Sequence, residues 1–521
     1  MAALLALASG LSLTPPAMAG PADGIVIDGR TQTGVKTVGN TVNVTTATVT
    51  GSNAFNSFSA FNVPAGATAN LFLPGGTVNL INLVRDARTD IYGVLNAVKD
   101  GRIGGNVWFA NPYGMVVGAG GVVNVGSLTV ATPTAAFVDK FFRAPGTPDE
   151  GSVSQLLSGN APRNAAGQIS IHGRINAING VTLSAGAINV SGSIYSGARF
   201  IGSAPDFSDV VNVNGLAPAT RVVTEAGRIR IVADTDVLVS GQLVAGGSAG
   251  VRGGDVTVTA GDKVVLASGA VIDVSGKDQN SAGGTVYVYG EHASLLTGAR
   301  IDASAGSSGD GGAIEFSAKQ DVLLAGGTFR AGATSGRAGS VLIDPVDLVI
   351  TANMTTNDGT SIALLADNSI TLDAGVLVSS RRIGAATSHL NAASVGHSGN
   401  ISVTAPKLVL KQGSQVLAHV EQSSIYQAGD VSLTALRTAG GAAEILLDGA
   451  TVTGRDVKLS ASSILTDSSV LVSSGVNQAV ASADISLQSS QLRASQVVST
   501  SSHSTRREVS QVSRASDSAS A

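Results

Sequence analysis

A repeat of about 28 residues between residues 253 and 345 limits the possible folds more than any other feature of the sequence. Each unit contains three short alternating segments separated by turn residues. One unit has too few apolar residues to fold alone, whereas stacked units share a buried interior. The pattern predicts an all-β fold, a right-handed parallel β-helix with three strands per coil and short helical insertions. A β-propeller would need four strands in roughly 40 to 45 residues.

The units align at pairs of small residues, which are Gly253-Gly254, Gly283-Gly284, Gly311-Gly312 and Ala338-Gly339. The predicted first strands carry Val256 and Val258, Val286 and Val288, Ile314 and Phe316, and Val341 and Ile343. The second strands are aligned as 264–266, 294–296 and 322–324, and the third as 272–274, 301–303 and 329–331. The same texture predicts one coil from 169–171, 181–183 and 188–190, and another from 229–231, 237–239 and 243–244.

Two stretches interrupt this pattern. A short helix is predicted to begin at Thr132-Pro133, with Phe137 and Phe141 on one face. A second helix is predicted after a capping box at 147–150, with Pro148 in the first helical position. Residues 203–217 are interpreted as a further insertion.

Charge and cysteine content exclude several kinds of site. Only 13% of the residues are charged and the net charge is −4, so no basic surface for nucleic acid is indicated. There are no cysteines, which excludes a thiol nucleophile and a cysteine zinc site. The histidines fall in no zinc-binding spacing, and no phosphate-binding loop is present. The sequence therefore predicts no cofactor, no metal and no catalytic residues.

The first residues are typical of an export signal. An apolar run from Leu4 to Leu13 precedes an A-x-A cleavage site at Ala17 and Ala19, followed by Gly20. The run is too short to span a bilayer, and no other segment approaches a transmembrane helix. No Lys or Arg precedes the run, so we expect the natural start to lie upstream of Met1.

Motifs in the first 135 residues resemble the two-partner-secretion domain of filamentous haemagglutinins, in the leukotoxin-like adhesin branch. The first is similar to the family's N-x-F-x-x-F-N-V segment and comprises Asn53, Phe55, Asn56, Phe58, Phe61, Asn62 and Val63. The second is similar to its A-N-P-N-G motif and comprises Asn111, Pro112, Tyr113 and Gly114, followed by Gly118, Asn124 and Gly126. Tyr113 stands where the family usually has Asn, and residues 78–83 replace its upstream N-P-N-L motif.

The resemblance implies that this domain is the signal for export. In the family, an outer-membrane β-barrel transporter with periplasmic receptor domains recognises it. The residues themselves favour structural roles. Asn111, Pro112 and Gly114 form a strong turn signal. Phe55, Phe58 and Phe61 are expected to fill or cap the first coils.

An enzyme remains a rival, because β-helices also carry carbohydrate-cleaving sites. The best candidates are Asp273, Asp302 and Arg330, expected at matching outward positions in successive coils, where a solvated charge ladder is the simpler reading. A G-x-S-x-G match at 246–250 leads into a strand, so we interpret it as a turn. Residues 306–312 faintly resemble a calcium-binding repeat but are not repeated in tandem.

These observations predict a signal peptide at 1–19, a two-partner-secretion core at 20–135 with associated coils and insertions to about 250, β-helical repeats at 251–495, and a Ser-rich disordered tail at 496–521. The predicted function is a secreted or surface-associated, filamentous adhesin-like exoprotein that reaches the cell surface through the periplasm. A glycan or protein on a host surface is a further predicted partner. The alternatives are a secreted carbohydrate-active enzyme and the stalk of a contact-dependent toxin.

Overall fold

The computed structural model describes most of the chain from residue 24 onward. The described residues are 24–200, 222–224, 227–356, 358–382, 398–418, 428–436, 441, 443–473, 476–488, 491–493, 496–500, 503–505 and 512–513. The chain forms two compact units. The first unit contains the residues up to Ser248 together with 254–265 and 270–273, and the second unit contains the rest.

Strands dominate both units. Up to residue 273 they are Ile25–Ile27 (β1), Thr33–Val38 (β2), Thr41–Thr46 (β3), Val49–Thr50 (β4), Asn53–Val63 (β5), Thr68–Phe72 (β6), Asn79–Val84 (β7), Thr89–Ile91 (β8), Val94–Lys99 (β9), Arg102–Ile103 (β10), Asn106–Ala110 (β11), Met115–Val117 (β12), Val122–Ala131 (β13), Phe142–Ala144 (β14), Thr147–Pro148 (β15), Gln168–Ile171 (β16), Arg174–Ala185 (β17), Ala187–Val190 (β18), Ser193–Ser196 (β19), Ala198–Phe200 (β20), Val222–Thr224 (β21), Arg228–Ala233 (β22), Val237–Val239 (β23), Gln242–Val244 (β24), Asp255–Ala260 (β25), Lys263–Leu266 (β26) and Val271–Asp273 (β27).

The remaining strands are Thr285–Leu295 (β28), Arg300–Asp302 (β29), Ala313–Leu324 (β30), Thr328–Arg330 (β31), Ser340–Ile343 (β32), Asp347–Ile350 (β33), Met354–Thr355 (β34), Ser361–Leu365 (β35), Ser369–Leu372 (β36), Leu377–Ser379 (β37), Ile401–Ala405 (β38), Lys407–Leu410 (β39), Gln415–Leu417 (β40), Val431–Ala435 (β41), Glu444–Asp448 (β42), Thr451–Gly454 (β43), Val457–Asp467 (β44), Val470–Ser473 (β45), Val476–Gln488 (β46), Gln491–Arg493 (β47), Gln496–Thr500 (β48), His503–Thr505 (β49) and Val512–Ser513 (β50).

The first unit has three faces of parallel strands, stacked in register. The first face runs through β5, β7, β11, the ends of β13 and β17, and then β22 and β25. The second runs through β8, β12, β16, β18 and β23. The third runs through β3, β6, β9, the starts of β13 and β17, and then β19, β24 and β27.

The second unit repeats the three faces. Its first face contains β28, β30, β32, β35, β38, β41 and β44. Its second face contains the ends of β28 and β30 with β33, β36, β39 and β42. Its third face includes β34, β37, β40, β43 and β45. These pairings confirm the predicted right-handed parallel β-helix with three strands per coil.

The alternation of buried and outward-facing residues along the strands drives the stacking of the coils. Along β38 every second residue is buried, and the same holds along β22 and β25. The buried positions hold mostly Val, Ile and Leu, each of which stabilises the coil by about 1.5–3 kcal/mol when fully buried. Because each coil covers the apolar face of the next, stability accumulates only as coils stack.

Two register predictions were wrong. The structure pairs Ala293 with Val322, whereas the sequence alignment paired Ser294 with Val322. The register shifts because β30 has two residues between Ala318 and Asp321, whereas β28 has one between Gly290 and His292, and such a bulge moves the pairing by one for the rest of the strand. The strands at 169–171 and 188–190 also lie in successive coils, because Ile169 pairs with Ile188. The coil predicted at 229–244 is confirmed.

The helical insertion has the two predicted helices, Ala135–Asp139 (α1) and Glu150–Leu157 (α2). The cap of α2 is corrected. Asp149 is the N-cap, and its carboxylate accepts a hydrogen bond from Ser152 N at 2.9 Å. Thr147 and Pro148 instead form β15, which pairs antiparallel with β14. Either Thr147 or Asp149 could cap a helix, and this hairpin moves the start by two residues.

Residues 203–217 lie outside the described residues, although the strands on either side of them, β20 and β21, pair antiparallel. Within the stretch predicted as a disordered tail, the backbone of β48 pairs with β46. No helix among the described residues is long and apolar enough to cross a membrane.

Candidate functional site: the first coils and their helical insertion

The Phe-rich segment β5 connects the coil interior to the insertion. Phe58 and Phe61 are fully buried with ring centroids 5.1 Å apart, and Phe61 lies 5.2 Å from Phe109. Phe55 is also buried, but it packs against Phe141 and Phe142 of the insertion, each at 6.2 Å. Three residues along a strand separate opposite faces, so Phe55 and Phe58 point to opposite sides of β5. The predicted core role is therefore confirmed for Phe58 and Phe61, whereas Phe55 anchors the insertion outside the coil.

Buried asparagines form a ladder through five coils of the third face. Each amide nitrogen donates to the Oδ1 of the asparagine one coil earlier, in the order Asn70 to Asn43 (2.9 Å), Asn96 to Asn70 (3.1 Å), Asn124 to Asn96 (2.9 Å) and Asn176 to Asn124 (2.9 Å). The last four are fully buried. Each hydrogen bond contributes about 0.5–1.5 kcal/mol net, and an unpaired buried amide would cost more. The ladder therefore fixes the register of the first coils.

The ladder ends where the sequence changes. The coil after Asn176 carries Tyr195 at the matching position. Asn176 Oδ1 is consequently buried without a hydrogen-bond partner among the described residues.

The first motif supplies two shorter asparagine rows. Asn79 Nδ2 donates to Asn53 at 2.8 Å, and Asn106 Nδ2 donates to Asn79 at 3.1 Å. Asn56 Nδ2 donates to Asn82 at 3.0 Å. At the end of the motif, Asn62 Oδ1 accepts from the backbone N–H of Asp90 at 2.9 Å, next to buried Val63. The motif asparagines therefore bond to neighbouring coils.

Sequence reasoning found Asn53, Asn56 and Asn124 but missed the rest of the rows. The available signal was spacing, since Asn43, Asn70 and Asn96 recur at intervals of about one coil. The interval from Asn124 to Asn176 spans the insertion, and this breaks the period.

The second motif forms the predicted turn. Asn111 is fully buried; its Oδ1 accepts from Tyr113 N at 2.9 Å, and its Nδ2 donates to Ala87 O at 2.9 Å. Gly114 has φ of 88°, and a Cβ there would lie 1.8 Å from Gln168 O. Pro112 O accepts from Asn164 Nδ2 at 2.8 Å. Tyr113, the departure from the family pattern, is 49% exposed, so about half of its surface is open to solvent.

Two further motif glycines sit at close approaches between coils. A Cβ on Gly118 would lie 2.2 Å from the ring of Tyr92, and one on Gly126 would lie 2.5 Å from Gly105 O. Ala17, Ala19 and Gly20 of the predicted cleavage site lie outside the described residues.

Charged groups join the N-terminal cap to the insertion. Arg85 pairs with Asp139 of α1 and lies 3.7 Å from Asp28. Burial lowers the pKa of Arg85, but the bond to Asp139 and the nearby acids outweigh it and raise the pKa overall. Ser57 Oγ donates to Asp28 at 2.6 Å, and Gly146 N donates to Arg30 O at 2.7 Å. The contact between Gly146 and Arg30 links residues more than 100 positions apart.

The N-terminal cap also presents a strand edge. β1 pairs antiparallel with β5, and β2 pairs antiparallel with β3. Among the described residues β2 has β3 as its sole strand partner, so its other edge is open. Val35 and Val38 on β2 are exposed, as are Val26 and Ile27 on β1. An open edge with exposed apolar side chains is suited to accept another strand.

The expected solvated charge ladder is not present as predicted. Asp302 and Asp273 are 6% and 9% exposed, whereas Arg330 is exposed. Asp302 bends onto its own turn, where Oδ1 accepts from Ser304 N at 3.0 Å and Ser304 Oγ at 2.6 Å. Its other oxygen lies 3.1 Å from Arg300. An Asp at the end of a strand can accept a hydrogen bond from the backbone N–H two residues further along the chain. The alternation of apolar and polar residues in the sequence does not reveal such a bond.

The other candidate motifs lie in turns. Residues 246–250 follow β24, and no helix follows them before β25. Residues 306–312 lie between β29 and β30. Within the described part of the chain, no group of three or more acidic or histidine side chains is placed to hold a metal ion.

Stacked coils define a β-helical protein. Its first unit also carries the asparagine rows, the antiparallel N-terminal strands and the helical insertion. The family model for the TPS secretion domain matches residues 23–288, slightly more than half of the chain. The chain therefore belongs to the two-partner-secretion exoprotein family, which is filamentous haemagglutinin-like. Exoproteins with this domain pass through the periplasm and leave the cell via a partner outer-membrane transporter.

Among solved structures, the chain is similar to the HMW1 secretion domain from Haemophilus influenzae. The identity is 16%, the TM-score is 0.46, and the match covers 75% of this chain and 96% of that one. A comparison with curated proteins gives no match.

Proposed function

We propose that the chain is a secreted or surface-associated, filamentous adhesin-like exoprotein, and that its first unit is the export signal. The predicted transporter has periplasmic receptor domains, and the open edge of β2 is the element they bind. The observation that carries this proposal is the position of that edge. It lies beside the coils that contain both secretion motifs and is tied to them through Asp28, Arg85 and Asp139.

Recognition by strand addition follows from the chemistry of the edge. The unpaired N–H and C=O groups of β2 can bond a strand from the receptor domain. Val35 and Val38 are three residues apart, so they would supply one apolar contact on each face of the sheet beside the added strand. Once outside the cell, each new coil buries apolar side chains against the previous one, and this makes return through the transporter unfavourable.

We infer a binding and structural role rather than catalysis. The two carboxylate candidates, Asp273 and Asp302, are buried, and Asp302 is hydrogen-bonded within its own turn. The matched family is one of secretion domains.

Secretion of variants with a changed edge tests the proposal. The full-length chain is co-expressed with its transporter, and protein in the medium is compared with protein retained in the periplasm. A Val35→Lys/Val38→Lys variant should fall at least about tenfold in secretion, because the charges oppose burial in an added strand. Val78→Lys is the matched control, since Val78 is 46% exposed but lies outside any strand.

Two results would contradict the proposal. Normal secretion of the edge variant would remove β2 from recognition. Normal secretion of a chain lacking residues 24–163, with the signal peptide kept, would show that the first coils are not the export signal.

A further inference from the structure

A groove lies between the helical insertion and the outer side of the first face, within the first unit. Its volume is about 190 Å³. The floor is a column of outward side chains on four successive strands, namely Trp108, Thr129, Thr182 and Arg230. The wall is the end of α2, from Leu156 to Gly159, together with Ala161 and Arg163. We call this the Trp108 groove.

The ends of the floor differ in chemistry. Three strand spacings separate Trp108 from Arg230, which is about 14 Å along the column. The indole N–H of Trp108 and the guanidinium of Arg230 have no hydrogen-bond or ion-pair partner among the described residues. The hydroxyls of Thr129 and Thr182 lie between them and are equally unpaired within the described chain. The floor therefore offers an aromatic surface, two hydroxyls and a cation in a row.

The local charge is positive although the chain carries a net charge of −4. Arg163 at the rim is neutralised by Asp234, at 2.6 Å. Arg230 has no such acid among the described residues, so its planar guanidinium is available to bind a carboxylate through two parallel hydrogen bonds.

A peptide is a poor match for this floor. The strands beneath it are paired on both sides, so they offer no backbone donors or acceptors to an added strand. The groove is also smaller than the roughly 300–1,000 Å³ of typical ligand pockets, which limits it to a short ligand segment. Recognition must therefore come from side chains acting on a small ligand with hydroxyls, an apolar ring face and a carboxylate.

We propose that the Trp108 groove binds one or two rings of a uronic-acid saccharide. The ring face packs on Trp108, the sugar hydroxyls bond Thr129 and Thr182, and the carboxylate pairs with Arg230. This role goes beyond export, because it concerns the folded protein outside the cell.

Tryptophan fluorescence provides a direct test, since Trp108 is the single tryptophan of the chain. The purified full chain is titrated with trigalacturonic acid and, separately, with its methyl ester. The acid should produce a saturable change with half-saturation on the order of 1 mM, and the neutral ester should bind at least about tenfold more weakly.

Variants separate the groove from general electrostatics. Arg230→Ala should weaken binding of the acid about tenfold. Arg228→Ala is the matched control, because Arg228 is exposed on the same strand but does not line the groove, and its affinity should not change. Unchanged circular dichroism confirms folding of both, as expected for exposed side chains.

Three outcomes would overturn the inference. The first is equal binding of acid and ester, and the second is equal loss in the two arginine variants. The third is tighter binding of an oligoglutamate peptide, which would assign the groove to an acidic protein. Because purified protein is used and Arg230→Ala should be exported normally, failure here is distinguishable from failure of the export proposal.

Discussion

Removing one asparagine from the middle of the five-coil ladder should strongly destabilise the first unit. Asn124→Ala removes the donor to Asn96 Oδ1 and the acceptor of Asn176 Nδ2, both at 2.9 Å in a fully buried row. Each buried group left unpaired costs about 1–3 kcal/mol, so the expected loss is about 2–6 kcal/mol. That is a large share of the roughly 5–15 kcal/mol by which a typical domain is stable.

Urea denaturation followed by Trp108 fluorescence measures this loss, because Trp108 lies in the same unit. Asn43→Ala is the matched control. Asn43 is half-buried at the end of the ladder and makes one of its bonds. Asn43→Ala leaves one group unpaired instead of two, and water can enter beside the truncated, partly exposed side chain, so its cost should be less than half as large.

An Asn124→Asp variant tests the direction of the hydrogen bonds. An ionised carboxylate cannot donate to Asn96, whereas a protonated carboxyl can donate to Asn96 and accept from Asn176. Burial raises the folded-state pKa of this new carboxyl above its unfolded value of about 3.9. Its stabilising contribution is therefore complete below that pH and is lost as the pH rises through the folded-state pKa. A loss below about 1 kcal/mol for Asn124→Ala, or a stability of Asn124→Asp that does not rise on acidification, would refute the ladder argument.

Three other substitutions have defined outcomes. Phe55→Ala should lower the free energy of unfolding by about 3–5 kcal/mol, because it removes the ring that packs on Phe141 and Phe142. The helical insertion should then become sensitive to limited proteolysis, and unchanged resistance would contradict this. Gly114→Ala should lower the melting temperature and secretion more than Gly146→Ala, since both have positive φ but Gly114 alone meets a backbone oxygen at 1.8 Å. Burial, followed by repulsion from Asp344, raises the pKa of Glu315, and burial with repulsion from Asp367 raises the pKa of Asp344. Groups with raised pKa values make the fold less stable as the pH rises above about 4. Asp344→Asn should make this loss smaller by less than about 0.5 kcal/mol, measured as the difference in stability between thermal melts at pH 4 and pH 7.

The coil architecture could be predicted from the sequence because inward positions alternate along every strand. Ile229, Val237 and Leu243 fall on three faces of one coil as their pattern indicates. Register was harder to predict, since the bulge in β30 between Ala318 and Asp321 has no strong signature in sequence. The bend of Asp302 onto Ser304 was similarly hidden, because it depends on the geometry after the strand.

The motifs at the first coils were located correctly, but their physical partners were not predictable from spacing. Asn111 reads as a turn residue, and it is one, yet its amide also donates to Ala87 and Thr89 in a neighbouring coil. Asn82 lies in the region that replaces the family's usual motif and still accepts a bond from Asn56. Any residue with a side-chain amide at the paired position of the next coil can accept this hydrogen bond. The family's motif can therefore be absent while the hydrogen bond between coils is kept.

At the N-terminus, contacts between residues far apart in sequence determine how much of the chain the first unit needs in order to fold. Arg30 NH1 donates to Asp139 O at 2.9 Å, and Arg30 O accepts from Gly146 N at 2.7 Å. Phe55 gains its aromatic partners only when Phe141 and Phe142 are present. Contacts of such sequence separation form late, because the loop between them must close first. A chain that has emerged only as far as the second motif therefore lacks the groups that complete its cap, and the folding unit that follows export extends through the helical insertion.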